Sequence, residues 1–201
     1  SYEYDSHSDR LKSVTNPAGK KTYYDYDLHG RTVRIWGDVP QPVEFEYDAA
    51  YGDRTKLKTF RGGSGWDQPD WPGTGANSSS SAGAADTTTW VYQAATGLLI
   101  KKRYISLANV VSYTYHVGGA LVKRQWARGP YTEYSYDNNT GELTRIDHWD
   151  SNPDVEFEYD RLGRLKTVLD ADGTTHTFAY DNATLQLTSE TISGRYNAVI
   201  T

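Results

Sequence analysis

The sequence predicts an all-β fold of tandem antiparallel β-hairpins, each unit about 21–23 residues long. Three observations predict it. An aromatic-x-Tyr segment recurs at near-constant spacing, apolar and polar residues alternate within each copy, and turn residues bracket the copies. The segments are Tyr2-Glu3-Tyr4-Asp5, Tyr24-Asp25-Tyr26-Asp27, Phe45-Glu46-Tyr47-Asp48, Trp90-Val91-Tyr92-Gln93, Tyr113-Thr114-Tyr115-His116, Tyr134-Ser135-Tyr136-Asp137, Phe157-Glu158-Tyr159-Asp160 and Phe178-Ala179-Tyr180-Asp181. Their second tyrosines are separated by steps of 22, 21, 45, 23, 21, 23 and 21 residues.

Each segment reads as a first strand. Val43, Phe45 and Tyr47 fall on one face, with Glu44, Glu46 and Asp48 on the other, and Val155, Phe157 and Tyr159 repeat the arrangement against Glu156, Glu158 and Asp160. A turn follows, with glycine at 30, 52, 97, 119, 141 and 163 to supply the left-handed backbone of a tight hairpin. The preceding aspartate accepts backbone N–H groups there, and Arg10, Arg31, Arg54 and Arg164 close four of the turns. The first and last units have no turn glycine, and Gln93 and His116 stand where other copies have Asp.

Second strands are expected over Leu11–Thr15, Val33–Trp36, Leu98–Tyr104, Leu143–Trp149 and Leu165–Leu169. Further turns lie at Asn16-Pro17-Ala18-Gly19, Gly37-Asp38, Gly129-Pro130, Ser151-Asn152-Pro153-Asp154 and Asp170-Ala171-Asp172-Gly173. This gives about sixteen strands and no helix, since no amphipathic 3.6-residue period is present. A ribbon of that kind is held unit by unit, because one hairpin alone is marginal in water.

Tyr159-Asp160-Arg161-Leu162-Gly163-Arg164-Leu165 and Tyr26-Asp27-Leu28-His29-Gly30-Arg31 resemble the signature of YD repeats, found in Rhs proteins, insecticidal toxin-complex shell subunits and teneurins. The resemblance covers nearly all of the chain outside residues 61–88. It implies a curved hairpin ribbon that is part of a hollow β-shell or barrel, which in bacterial members encloses a toxic C-terminal domain. It also implies an internal fragment of a longer chain, with residues 1–201 a single YD domain. The motif residues are Tyr4, Asp5 and Arg10 in the first unit, then Tyr26, Asp27, Gly30 and Arg31, then Tyr47 and Asp48. Tyr92 and Gly97, Tyr115 and Gly119, and Tyr136, Asp137 and Gly141 continue the series; Tyr159, Asp160, Gly163 and Arg164, then Tyr180 and Asp181, complete it. Bacterial relatives end their core near an Asp-Pro-x-Gly-type self-cleavage segment; no Asp-Pro dipeptide occurs here, and no cargo-like domain follows the last repeat.

Composition agrees with a scaffold. Net charge is −5 and the basic residues form no stripe, which argues against nucleic acid. There is no cysteine, so neither disulfide nor thiolate metal site can form. No apolar run approaches the ~20 residues of a membrane helix. Seventeen tyrosines suit half-buried sheet faces rather than one thick core.

Residues 61–88 interrupt the period as a Gly/Ser/Trp-rich insertion or a decayed repeat. The plain reading is a long surface loop, partly disordered over the Ser run; the sharper one is a ligand loop in which Trp66 and Trp71 stack on a sugar while Asp67 and Asp70 hydrogen-bond it. No catalytic or metal-binding set emerges. His7, His29, His116, His148 and His176 lack ligand spacing. Asp170-Ala171-Asp172-Gly173 opens like a calcium loop but lacks its sixth-position Gly and twelfth-position Glu. The acid pairs Glu44/Glu46 and Glu156/Glu158 recur, as expected for a solvated or lumen-facing acidic face rather than a unique catalytic pair. No cofactor is expected, and the chain reads as a non-enzymatic wall segment of a secreted or cell-surface protein, its partners the remaining repeats and enclosed cargo of its own chain. The alternatives are an adhesion module that binds glycans and, more remotely, a glycosidase.

Overall fold

The computed structural model describes residues 1–105, 108, 110–149, 154–194 and 197–200. Among these it contains seventeen β-strands, one short 3-10 turn and no α-helix. Two compact units divide the chain, residues 1–110 and 111–201.

The first unit holds β1 (Tyr2–Tyr4), β2 (Leu11–Thr15), β3 (Lys21–Tyr26), β4 (Thr32–Gly37), β5 (Val43–Tyr47), β6 (Arg54–Phe60), β7 (Ala85–Tyr92) and β8 (Leu99–Tyr104). Each pairs antiparallel with its neighbour in sequence. The second unit holds β9 (Val110–Tyr115), β10 (Leu121–Gln125), β11 (Tyr131–Tyr136), β12 (Leu143–His148), β13 (Val155–Tyr159), β14 (Leu165–Leu169), β15 (Thr175–Tyr180), β16 (Leu187–Ser193) and β17 (Ala198–Ile200), again paired in order. The tandem antiparallel hairpins are those the sequence predicts. The seventeenth strand was not expected, because β17 is three residues long and carries no aromatic. Residues 151–153 of the turn expected at Ser151-Asn152-Pro153-Asp154 lie outside the described residues.

Two details recur. In seven hairpins the register slips by one residue just before the second tyrosine, at Glu3/Tyr4, Asp25/Tyr26, Glu46/Tyr47, Val91/Tyr92, Ser135/Tyr136, Glu158/Tyr159 and Ala179/Tyr180. Such a bulge bends the strand and re-aims the side chain that follows. Second, the ladder is long inside a hairpin and short between most hairpins. The pairing of β3 with β4 runs from Thr22↔Gly37 to Tyr26↔Thr32, whereas β4 meets β5 only at Arg34↔Glu44 and Ile35↔Val43. Neighbouring hairpins therefore splay apart at the turn end.

Burial is concentrated in the first unit. Tyr23, Trp36, Phe60 and Trp71 form its core at 2–8% exposure, with Trp66, Ala82 and Ala85 packed against them. By strand alternation Tyr23 shares a face with Asp25, Trp36 with Arg34 and Phe60 with Lys58. These aromatics interrupt an otherwise charged face, and the segment between β6 and β7 folds down on them.

That segment corrects the expectation for residues 61–88. Ala85–Thr88 belongs to β7 and pairs with Leu57–Phe60, so the insertion is 61–84. Removing those 24 residues from the 45-residue step between Tyr47 and Tyr92 leaves 21, the ordinary period. The segment is thus a hairpin connection that has grown, and it holds a 3-10 turn (Gly75–Asn77) but no strand. Its neck is tied by the Ser64 amide donating to the Ser81 carbonyl at 2.9 Å. A Cβ on Gly63 would come within 2.5 Å of that same carbonyl, so only glycine permits the close approach. Asn77, 6% exposed, donates from Nδ2 to the carbonyls of Gly65 and Asp70, both at 3.0 Å. Residues 78–81, the Ser run, are part of this cap, with the Ser80 amide donating to the Asn77 carbonyl at 3.0 Å.

Candidate functional site: the junctions between successive turns

Each motif aspartate organises its own turn. In the shorter turns the carboxylate accepts from the residues two and four places on: Asp27 from the His29 and Arg31 amides, Asp160 from those of Leu162 and Arg164, at 2.8–3.0 Å. In turns one residue longer it accepts from the residues two and three places on. Asp5, Asp48, Asp137 and Asp181 all do so, at 2.6–3.0 Å. Hydrogen bonds from the Arg164 side chain, against the opposing pull of burial, hold the Asp160 carboxyl below the usual range. In Asp137 the Thr140 and Asn139 amides do the same.

All eight motif turns carry a left-handed residue two positions before the returning strand. Glycine supplies it at six turns, among them Gly30 (φ 84°) and Gly163 (φ 75°). The first and last turns, which have no glycine, adopt it regardless: Asp9 has φ 53° and Leu185 φ 60°. The turn geometry is therefore kept even where the sequence no longer favours it.

The second tyrosine joins one hairpin to the previous one. Tyr26, Tyr47, Tyr136 and Tyr180 donate their hydroxyls to the carbonyls of Leu11, Thr32, Leu121 and Leu165, all 15 residues earlier, at 2.8–2.9 Å. Tyr92 reaches across the insertion to the Arg54 carbonyl at 3.1 Å. These carbonyls open the strand after the preceding turn, beyond the ladder to the next hairpin, where splaying removes the backbone partner. A buried carbonyl without a partner costs about 1–3 kcal/mol, so the hydroxyl fills a need created by the splay. Burial pushes the hydroxyls of Tyr26, Tyr92 and Tyr136 above their ordinary range, which keeps them protonated as donors.

The turn arginine adds a second tie. Arg31 pairs with Asp27 of its own turn at 2.6 Å and places its guanidinium 4.6 Å from the centre of the Tyr47 ring in the next hairpin. Arg164 does the same with Asp160 at 2.6 Å and Tyr180 at 4.2 Å. Arg10 lies over Tyr26 at 5.8 Å and donates to the Asp27 carbonyl at 2.9 Å. Sequence spacing groups Arg54 with these three, and the structure corrects it. Arg54 sits one position later, inside β6 opposite Tyr47, where the other hairpins have Leu or Thr, and Asp53 occupies the arginine position.

The polar face is not acidic. Glu44 faces Arg34 on one side and Lys58 on the other, at 2.9 Å each, and Glu46 takes Lys56 at 2.7 Å and Lys58 at 2.9 Å. Burial raises the Glu44 carboxyl, but hydrogen bonds from Lys58 and Arg34 outweigh it and leave it low. Lys58 is raised by the same pairs. In the second unit Arg145 bonds Asp154 and lies 3.6 Å from Glu156, Lys123 meets Glu133, and Lys166 meets Glu158. The recurring acids thus alternate with bases across strands. Asp25 differs: burial raises its carboxyl despite Arg34 at 3.6 Å.

Trp66 and Trp71 are placed together, with ring centres 5.1 Å apart, but as core. Trp71 packs its edges on Trp36 and Phe60 at 5.5 and 5.4 Å and carries the Arg34 guanidinium at 4.9 Å. The Trp36 indole donates to the Gln68 carbonyl at 3.0 Å, fastening the insertion to β4. Asp70 accepts from the Ala76 amide and Asp67 from Gln68 Nε2. At 6% exposure Trp71 offers no open face for a sugar. No group of three or more metal-ligating side chains exists among the described residues. No helix among them is long and apolar enough to cross a membrane.

Hairpins tied in series by a tyrosine hydroxyl, a turn aspartate and a turn arginine define a structural repeat scaffold. Residues 102–199, just under half of the chain, match the family model for the teneurin YD-shell. Among solved structures, the chain is similar to TcdB2-TccC3 without its hypervariable C-terminal region, with 19% identity over 95% of this chain and 12% of that one, at a TM-score of 0.49. The TcdB2-TccC3-Cdc42 crystal structure gives 16% identity over 91% and 12%, TM-score 0.40. A Tc holotoxin pore of Photorhabdus luminescens gives 14% over 95% and 15%, TM-score 0.32. The chain thus spans 12–15% of the length of these structures. No curated protein matches the sequence.

Proposed function

We propose that residues 1–201 are a segment of the wall of a YD shell that encloses a C-terminal toxic cargo in an exported bacterial protein. The observation that carries the reading is the repetition of one junction. The same bulge and Tyr hydroxyl bond join hairpins in both units, and such a junction propagates for as long as hairpins are added. The teneurin YD-shell match over 102–199 supports the same reading. The wall acts sterically: it separates cargo from the producing cell without chemistry of its own. Its partners are the remaining repeats of its own polypeptide and the cargo they surround.

The test is limited proteolysis of the natural polypeptide that carries this segment. A C-terminal domain that stays intact until the repeats are cut supports enclosure. A domain digested before the repeats overturns it.

A further inference from the structure

Three junctions fill the space between successive turns with a guanidinium from within the chain. The position is the residue directly after the left-handed one: Arg10 after Asp9, Arg31 after Gly30, Arg164 after Gly163. Each reaches the following turn. A Cβ on Gly30 would meet Arg10 at 3.1 Å, a Cβ on Gly52 would meet Arg31 at 3.0 Å, and Arg164 donates to the Leu185 carbonyl at 3.4 Å.

The junction between the turns of Asp48 and Gln93 is different. Its position holds Asp53, and a Cβ on Gly97 would meet nothing within 4 Å. A cavity of about 470 Å³ opens there, bordered by Asp48, Asp53, Trp90, Tyr92, Gln93 and Gly97. Neither aspartate forms an ion pair among the described residues. Asp53 and Tyr92 both border this cavity. Arg54 and Lys102 lie on the Trp90 ring, at 4.6 and 5.3 Å, and do not border the cavity.

We propose that this slot binds an arginine side chain presented by a second polypeptide. The Tyr92 ring takes the place that Tyr26, Tyr47 and Tyr180 have beneath their own arginines, and Asp53 supplies the counter-charge. Planar guanidinium suits both, by stacking on the ring and by a charge-assisted bond to the carboxylate. The cavity exceeds one guanidinium and opens beside Tyr51, which is 72% exposed, so residues flanking the arginine have room along the row of turns.

The test is titration of the ¹⁵N-labelled chain with acetyl-Gly-Arg-Gly-amide, followed at the Gln93 and Gly97 amides and the Trp90 indole. Saturable shifts with a dissociation constant near about 1 mM, absent with the citrulline counterpart, are expected. Asp53→Asn weakens binding at least about tenfold. Asp53→Arg abolishes it and raises Tm, because the guanidinium is then supplied within the chain. No saturable shift, an equal response to citrulline, or unchanged binding in Asp53→Asn overturns the proposal. A lysine peptide that binds as well as the arginine peptide also overturns it, since the slot is then selective for charge alone.

Discussion

The Tyr47 hydroxyl donates to the Thr32 carbonyl at 2.8 Å, bridging two hairpins where their strands have already separated. The bond recurs at the same 15-residue spacing in both halves of the chain, as between Tyr180 and Leu165. It makes the second tyrosine of the motif a junction residue, beyond its role as packing.

Tyr47→Phe keeps the ring and deletes the bond. It is expected to cost about 1 kcal/mol in urea unfolding, with a similar loss for Tyr136→Phe in the other unit. Tyr2→Phe, at an exposed ring, is expected to change stability by less than about 0.5 kcal/mol.

Trp71→Ala removes the side chain at the centre of the insertion's core. A loss of about 3–5 kcal/mol from the first unit is expected, read as an earlier urea transition. Trp66→Ala, at a partly buried ring, is expected to cost less.

Leu185 holds a left-handed backbone while 53% exposed, so its side chain gains little from burial. Leu185→Gly is expected to stabilise the chain by up to about 1 kcal/mol, the steric penalty removed being larger than the entropy added to the unfolded state. A lower Tm in that variant would show that the turn tolerates leucine without strain.

The carboxyls of Asp137, Asp160, Glu44 and Glu46 have pKa values lowered by folding. Their contribution is fully present above the unfolded values of 3.8 and 4.5 and is lost as pH falls through the lower folded ones. Lys58 is raised, so its contribution is present below 10.5 and lost above it. Tm measured against pH should therefore be flat through neutrality and fall on the acid side beginning near 4. Asp25 has the opposite sign, since folding disfavours its ionised form. Asp25→Asn is expected to leave Tm at pH 7 unchanged or higher, whereas Asp160→Asn lowers it.

Period, strand alternation and turn glycines are legible in the sequence because each rests on local chemistry. Asp9 and Leu185 were not, since neither residue type favours a left-handed backbone; the signal was positional, the residue before Arg10 and before Gln186. Arg54 follows its turn glycine by two residues, whereas Arg31 and Arg164 follow theirs by one, so it falls in the strand rather than at the turn. The role of Trp66 and Trp71 had a readable sign. Tyr23, Trp36 and Phe60 occupy strand positions whose alternation otherwise calls for charge, which marks a covered patch. The Tyr hydroxyl bond depends on splayed hairpins, a tertiary feature that no single segment encodes.

Electron cryo-microscopy of the natural polypeptide containing residues 1–201 tests the central claim most directly. These hairpins are expected as a continuous stretch of closed wall, with Tyr47 bonded to Thr32 and cargo density on one side. A sheet open to solvent on both faces would contradict it.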